Sequence, residues 1–143
     1  MVKKVLEYIM EKKIREIILN YIPQAKLMNI DVLFSKNGES RLLLPHDSQW
    51  TREGGSLSGP SLFALADAAL YASILSLKID QIGALTTQMS IQFLRRPIDL
   101  DLVGCSKIHT ISKRNAFGEV QIRSLKDDGL IAVATGSYSL KPS

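Results

Sequence analysis

One long apolar segment constrains the fold of this chain more than any other feature. Residues 55–76 read GSLSGPSLFALADAALYASILS and contain a single charged residue, Asp67. Pro60 suits the first turn of a helix, where its missing N–H costs nothing, and Ser58 or Gly59 can serve as the N-cap. A helix that is apolar on nearly every side must be covered by other elements. The rest of the chain therefore has to wrap around it.

The segments before this helix predict another helix and a hairpin. Residues 4–21 place apolar side chains at helical spacing with charges between them, and we expect Pro23 to end that helix. The segments LMNIDVLFS and SRLLLPHD predict two strands, joined at Asn37-Gly38, the strongest short hairpin signal in the sequence. A long polar loop, HDSQWTREGGSLSG, then leads into the apolar helix, and loops of this length often carry functional residues.

The segments after the helix predict four long strands, separated by turn-forming residues. They are residues 84–95, 101–112, 118–126 and 130–140. The resulting order predicts an α+β fold in which an antiparallel sheet wraps the central helix. We expect one domain over residues 1–143, with an N-terminal helix within residues 1–23.

Composition argues against several classes of function. The formal charge is +4, but the basic residues are spread along the chain, which favours a phosphate-bearing small molecule over a nucleic acid as partner. One cysteine and two histidines predict no disulfide, no metal site and no metal or redox cofactor. Charges interrupt the N-terminal segment and the apolar helix, which argues against a secretory signal and a membrane span. We expect a cytoplasmic protein with no membrane partner.

Asp67 is the position in the apolar helix that needs an explanation. Its neighbours at helical spacing are all apolar, and it lies about two turns inside the helix, too far to act as a cap. Burying an unpaired carboxylate is costly. Two interpretations stay open: a carboxylate that is solvated or makes a structural hydrogen bond, or a catalytic acid. In the second case the helix N-terminus, about 10 Å away, could stabilise an oxyanion.

Four short stretches of the chain carry a resemblance to a known family. They are SGP at residues 58–60, LADAA at 65–69, TTQMSIQFLRR at 86–96 and AVATGSY at 132–138. In order and spacing they resemble motifs of the PaaI-like acyl-CoA thioesterases, in which His-Gly-Gly precedes the helix with Leu-x-Asp-x-Ala. The resemblance covers residues 28–140 and implies a hotdog fold, in which an antiparallel sheet wraps a central helix.

The resemblance also implies a mechanism and a partner. Asp67 takes the place of the family's catalytic acid, which acts as general base or nucleophile on an acyl-CoA thioester. Gly59 takes the place of the glycine whose N–H polarises the thioester carbonyl, and Thr86 that of a Ser or Thr that helps to position the attacking water. The family site lies between two subunits, so the resemblance implies a homodimer or a dimer of dimers.

This chain departs from the family at the start of the helix. Ser58 replaces the family histidine, Pro60 replaces the second glycine and so removes a backbone donor, and Arg52 stands where an asparagine is often found. A non-catalytic acyl-CoA-binding or regulatory protein is therefore an alternative to a thioesterase. The sequence argues against a hotdog dehydratase, because that enzyme would need a histidine base that is missing here.

Other side chains are candidates for substrate binding. Arg95 and Arg96 end the first long strand, where they could contact the phosphates of CoA or only be solvated. Trp50 could close over an acyl chain or anchor its loop on the core. The predicted substrate-binding set is Trp50, Arg52, Ser58, Arg95 and Arg96. Cys105 is interpreted as a buried apolar residue and His109 as structural.

Overall fold

The computed structural model describes residues 1–142, and its elements follow the predicted order. The helices are α1 (Val2–Tyr21), α2 (Pro23–Leu27) and α3 (Gly59–Leu77). The strands are β1 (Asp31–Lys36), β2 (Glu39–Leu44), β3 (Leu85–Phe93), β4 (Leu102–Ile111), β5 (Asn115–Ser124) and β6 (Leu130–Ser139). Two short 3₁₀ turns, Ser48–Trp50 and Glu53–Gly55, lie in the long loop before α3.

The strands form an antiparallel sheet in the order β1-β2-β4-β5-β6-β3. Helix α3 contacts all six strands, and α1 packs against α3 and β1. Strands β1 and β3 are therefore the two edges of a sheet that wraps a central helix. This arrangement confirms the α+β fold that the sequence predicts.

The predicted end of the first helix and the predicted hairpin are confirmed, while a second short helix takes the place of the start of a predicted strand. Helix α1 ends at Tyr21, and Pro23 begins α2, because a proline is tolerated in the first turn of a helix. Residues 27–30, predicted as the start of a strand, instead end α2 and turn at Asn29, whose φ is 55°. At the hairpin, Asn37 and Gly38 have φ angles of 53° and 80°, and both positions of a type I′ turn need such positive values.

Two glycines allow α3 to approach the sheet closely. Gly118 on β5 and Gly136 on β6 are cross-strand partners beneath Leu70 of α3. A Cβ atom on either glycine would lie 2.9 Å from a methyl carbon of Leu70, which is well inside the normal contact distance of two carbon atoms. The missing side chains therefore make room for the helix.

Helix α3 is long and apolar enough to cross a membrane, judged by length and composition alone, with a mean hydropathy of 1.5. However, 67% of its most apolar window is buried within the fold. A core helix has the same composition as a membrane span, and here the sheet and α1 supply the cover.

Buried serines join the C-terminal half of α3 to the sheet. Ser73 Oγ lies 3.0 Å from Ser40 Oγ and 2.9 Å from Ser106 Oγ, and Ser40 donates to the carbonyl of Ala69 at 2.7 Å. A hydroxyl group has only one proton, so the donations run from Ser106 to Ser73, to Ser40 and then to Ala69. Each of these three buried hydroxyl groups therefore has a partner.

Replacing Ser73 by alanine should lower the free energy of unfolding by about 1–3 kcal/mol, because the buried Ser106 hydroxyl loses its acceptor. Urea denaturation measures the change. Ser139→Ala is the matched control, because Ser139 is exposed at the end of β6, and its effect should stay within about 0.5 kcal/mol. Equal losses in the two variants would contradict a stabilising role for the serine chain.

Candidate active site

Asp67 lies on α3, half-buried, and its carboxylate is held by two hydroxyl groups. Thr86 Oγ1 donates to Asp67 Oδ1 at 2.6 Å, and the Tyr138 hydroxyl donates to the same oxygen. Tyr138 also lies 2.8 Å from the backbone carbonyl oxygen of Asp67. Within residues 1–142, the other carboxylate oxygen, Oδ2, accepts no hydrogen bond. The side chain is therefore fixed by one oxygen and free at the other.

The pairing of β3 with β6 brings the two donors together. Thr86 and Tyr138 are cross-strand partners, and directly opposite residues of an antiparallel pair point to the same face of the sheet. The register then shifts between Thr86 and Gln88, so one extra residue bulges out of β3. Both hydroxyl groups thus reach the same turn of α3.

Tyr138 is a dependable donor because it remains protonated. It is only 3% exposed, and burial, followed by the nearby Asp67 carboxylate, raises its pKa well above the usual value for tyrosine. Its ring stacks on Tyr71, with 6.2 Å between the ring centroids and an interplanar angle of 1°. The Tyr71 hydroxyl in turn accepts the backbone N–H of Gly83 at 3.0 Å. The Tyr138 ring is therefore held by packing as well as by its hydroxyl.

The start of α3 offers a single free backbone donor. Ser58 Oγ caps the helix by accepting the N–H of Ser61 at 3.3 Å, and the Ser58 N–H donates to the carbonyl of Trp50 at 2.9 Å. Pro60 has no N–H. Within residues 1–142, the Gly59 N–H has no hydrogen-bond partner, so it is free to bind an anion or a polarised carbonyl.

A groove of about 400 Å³ beside the helix start brings four of the predicted site residues together. Arg52, Gly59, Arg95 and Arg96 all line it, next to apolar side chains that include Phe93. Three guanidinium groups around a free N–H make this groove suitable for a phosphate-bearing ligand. Asp67 and Thr86 do not line it.

The arginines of the groove differ in their pairing. Arg95 Nη2 forms an ion pair with Asp127 Oδ2 at 3.2 Å. The pKa of Asp127 is lowered, first by the N–H of Gly129 and then by Arg95. Within residues 1–142, Arg52 and Arg96 form no ion pair. The latter two cations therefore keep their charge available.

Trp50 and Ser58 lie outside this groove. Trp50 packs against the core, which supports its interpretation as a loop anchor, and its Nε1 is buried without a partner among residues 1–142. Ser58 is occupied by capping α3. Contact of these two residues with a substrate remains a prediction.

The sequence alone does not reveal a role for Tyr138. It is the last residue of the stretch AVATGSY, but only the strand register reveals that it faces Thr86.

His109 and Cys105 lie on β4, outside the candidate site. His109, interpreted from the sequence as structural, lies 3.0 Å from Glu119 across β4 and β5. Cys105 is half-buried, and burial raises the pKa of its thiol, which agrees with an unreactive side chain. Within residues 1–142, no cluster of side chains could hold a metal ion.

His46 holds the loop before α3 in place. Its backbone N–H donates to Asp101 Oδ1 at 2.7 Å, and its ring Nε2 lies 3.2 Å from the carbonyl oxygen of Gly55. A carbonyl group can only accept, so Nε2 carries the proton. The loop that carries Arg52 is thereby tied to the turn before β4.

An antiparallel sheet wrapped around a central helix defines a protein of the hotdog class. The Asp67 carboxylate lies on that helix, beside the edge strand β3. Over residues 36–136, more than half of its length, the chain matches the family described as "Acyl-CoA thioesterase C-terminal domain". The chain therefore belongs to this acyl-CoA thioesterase family. No curated protein matches it.

Several solved structures share the fold. A candidate thioesterase from Silicibacter sp. TM1040 is 28% identical, with a TM-score of 0.83 and 92% of each chain covered. Zebrafish thioesterase superfamily member 2 is 18% identical, with a TM-score of 0.81, covering 92% of this chain and 98% of that one. The Escherichia coli PaaI protein of the phenylacetic acid degradation operon is 19% identical, with a TM-score of 0.76 and coverage of 91% and 97%. The hotdog fold and the PaaI-like resemblance are confirmed.

Replacing His46 by alanine should loosen the loop before α3 without unfolding the sheet. The N–H of Arg52, which donates to Ser56 O at 2.8 Å, should exchange with solvent about tenfold faster, because one lost hydrogen bond promotes local opening. Hydrogen exchange followed by NMR measures this, with the amides of β5 as internal control. Equal acceleration in β5 would indicate global destabilisation and contradict the local role of His46.

Proposed function

We propose that the protein hydrolyses an acyl-CoA thioester to a free acid and CoA. The observation that carries the proposal is the state of Asp67. It is the one charged residue of a core helix, two hydroxyl groups fix its Oδ1, and within residues 1–142 its Oδ2 is free. A carboxylate that is held in one orientation and open on one side is suited to act as a general base. Membership of a thioesterase family supports this chemistry.

The proposed reaction uses water and no other co-reactant. Asp67 Oδ2 takes a proton from a water molecule, whose oxygen forms a bond to the thioester carbon. The carbonyl oxygen becomes an oxyanion, and the N–H of Gly59 stabilises it by donating a hydrogen bond. The C–S bond then breaks, the electron pair leaves with sulfur, and the thiolate of CoA takes the proton. Direct attack by Asp67 on the thioester carbon is the other route open to this carboxylate.

The separation of Asp67 from Gly59 supports a site shared between two subunits. Asp67 lies eight positions after Gly59 on α3, which corresponds to about 12 Å along the helix. Both groups must contact one thioester, so we infer that Asp67 of one chain works with Gly59 of a second copy.

The surface around β3 suits such a second copy. Strand β3 is an edge strand with unpaired backbone groups, and Phe93 and Leu85 on it are 54% and 69% exposed. Beside it lies an apolar depression of about 530 Å³, lined by residues of α3 and β3. Pairing of two β3 strands would cover these groups and bring each Asp67 towards the other chain, which supports a homodimer.

The alternative is a protein that binds acyl-CoA without hydrolysing it. The hydroxyl group of Ser58 is occupied by the helix cap, and Pro60 supplies no donor, so the helix start has fewer groups for an oxyanion than the family motif provides. The groove with its arginines would be retained in either case. Measurement of turnover separates the two functions.

Purified protein should release CoA from at least one member of a panel of short, medium, long and aryl acyl-CoAs. Asp67→Asn should lower kcat by about a thousandfold or more, because the amide cannot accept the proton from water. Thiol release followed with a thiol reagent measures both rates. Circular dichroism and size-exclusion chromatography check that the variant keeps its fold and assembly.

The outcomes separate the possible mechanisms and functions. Equal turnover by Asp67→Asn would remove Asp67 from the mechanism, and no turnover by either protein, with acyl-CoA still bound, would identify a binding protein. A single turnover in H₂¹⁸O tests the route: label recovered in Asp67 would identify direct attack by the carboxylate.

Replacing Arg96 by glutamine should weaken binding of CoA about three- to tenfold, because one charge-assisted contact with a phosphate is lost. Calorimetric titration with CoA measures the affinity, and the loss should shrink as salt is added. Lys12→Gln is the control, because this lysine is exposed on α1 and does not line the groove. Equal affinities for the two variants would place the phosphates elsewhere.

A further inference from the structure

The hydroxyl group of Tyr138 has two acceptors on one residue. It lies 2.8 Å from the backbone carbonyl oxygen of Asp67 and donates to Oδ1 of the same residue. A single proton can be shared between two acceptors in this way. The hydroxyl group therefore fixes the position of the Asp67 carboxylate relative to the backbone of its own helix.

The two donors to Asp67 differ in how firmly they are held. Thr86 is exposed on the edge strand β3, so water or a substrate can compete for its hydroxyl group. Tyr138 is buried on β6, an inner strand of the sheet, and its ring stacks on Tyr71. Tyr138 is thus the donor that stays in place while the exposed side of the site exchanges water and substrate.

The ring of Tyr138 is held by the ring of Tyr71. Tyr71 lies one helical turn beyond Asp67, and its hydroxyl accepts the N–H of Gly83, two residues before β3 begins. The stacked rings pack α3 against β6, while within residues 1–142 the Tyr71 hydroxyl forms no hydrogen bond with Asp67 or Thr86. Because these elements are packed together, removal of the Tyr138 hydroxyl alone should leave the rings in position.

We propose that Tyr138 is a positioning residue for the reaction: its hydroxyl group orients the Asp67 carboxylate so that Oδ2 faces the attacking water. This inference rests on the proposed function. Tyr138 does not line the groove at the helix start, and it acts through Asp67 without touching the substrate.

Tyr138→Phe removes this hydroxyl group and keeps the ring. We expect kcat to fall about ten- to a hundredfold, the loss expected for one hydrogen bond to a charged group, while KM stays within about twofold. Steady-state kinetics measures both effects, and the fall of kcat at constant KM separates loss of positioning from loss of substrate binding.

Tyr71→Phe is the matched control. It removes a tyrosine hydroxyl from the other member of the same stacked pair, but that hydroxyl contacts Gly83 and not Asp67. We expect lower stability from this variant, with kcat as in the unchanged protein. If both variants lower kcat equally, or if Tyr138→Phe leaves kcat unchanged, Tyr138 has no positioning role.

A measurement that needs no turnover separates failure of this inference from failure of the proposed function. Carbon-13 NMR of labelled aspartate observes the Asp67 carboxylate directly, with Asp67→Asn to assign the signal. The chemical shift of this signal should change in Tyr138→Phe, which loses a hydrogen bond to the carboxylate, and stay in place in Tyr71→Phe. An unchanged chemical shift in Tyr138→Phe would overturn the inference even in an active enzyme. A changed chemical shift in a protein without turnover would keep the contact and reject the hydrolysis.

Discussion

The need to cover an apolar helix determines the rest of this structure. Helix α3 has almost no polar side of its own, so the sheet must wrap it, and close wrapping requires small residues where helix and strand meet. Gly118 and Gly136 meet this need beneath Leu70, where any side chain would collide with a methyl group. Buried serines do the same within one turn of Leu70 and satisfy their own polar groups. These contacts hold the sheet close to the helix.

A sheet wrapped around one helix leaves an uncovered stripe along that helix. This stripe explains how a helix that is otherwise apolar can carry a carboxylate at Asp67. Pro60, Phe63, Ala64 and Asp67 keep part of their surface exposed, next to the edge strand β3. Sequence reasoning found no polar side for Asp67, because its neighbours are apolar on all sides. The exposed residues of the stripe are apolar as well, so a second copy of the chain would suit them better than water does. In the proposed homodimer, the carboxylate lies where the two chains meet.

Local signals in the sequence were sufficient for most of the fold. Asn37-Gly38 determines the hairpin, Pro60 with Ser58 determines the start of α3, and turn-forming residues separate the later strands. Contacts that depend on strand register could not be found in this way. Tyr138 is 71 residues from Asp67 in sequence, and only the pairing of β3 with β6 brings it beside Thr86. The short helix α2 was also missed, because a proline that can end one helix can equally begin another.

The start of α3 limits how any catalysis in this protein can work. The N–H groups of Ser61 and Leu62 donate to Ser58, and Pro60 has none, so the Gly59 N–H is the one backbone donor in the first turn that remains free among residues 1–142. A single donor to an oxyanion contributes a factor of about 10²–10³ to a rate. Further stabilisation of the developing charge at this end would have to come from a side chain, and Arg52 lines the same groove. A guanidinium group in place of a neutral amide favours charged oxygen atoms, whether they belong to the transition state or to the CoA phosphates. Pro60 thus removes one backbone donor from the family pattern, and Arg52 brings a cation in place of an amide. In the proposed reaction, the rate would depend on how well that cation can be oriented.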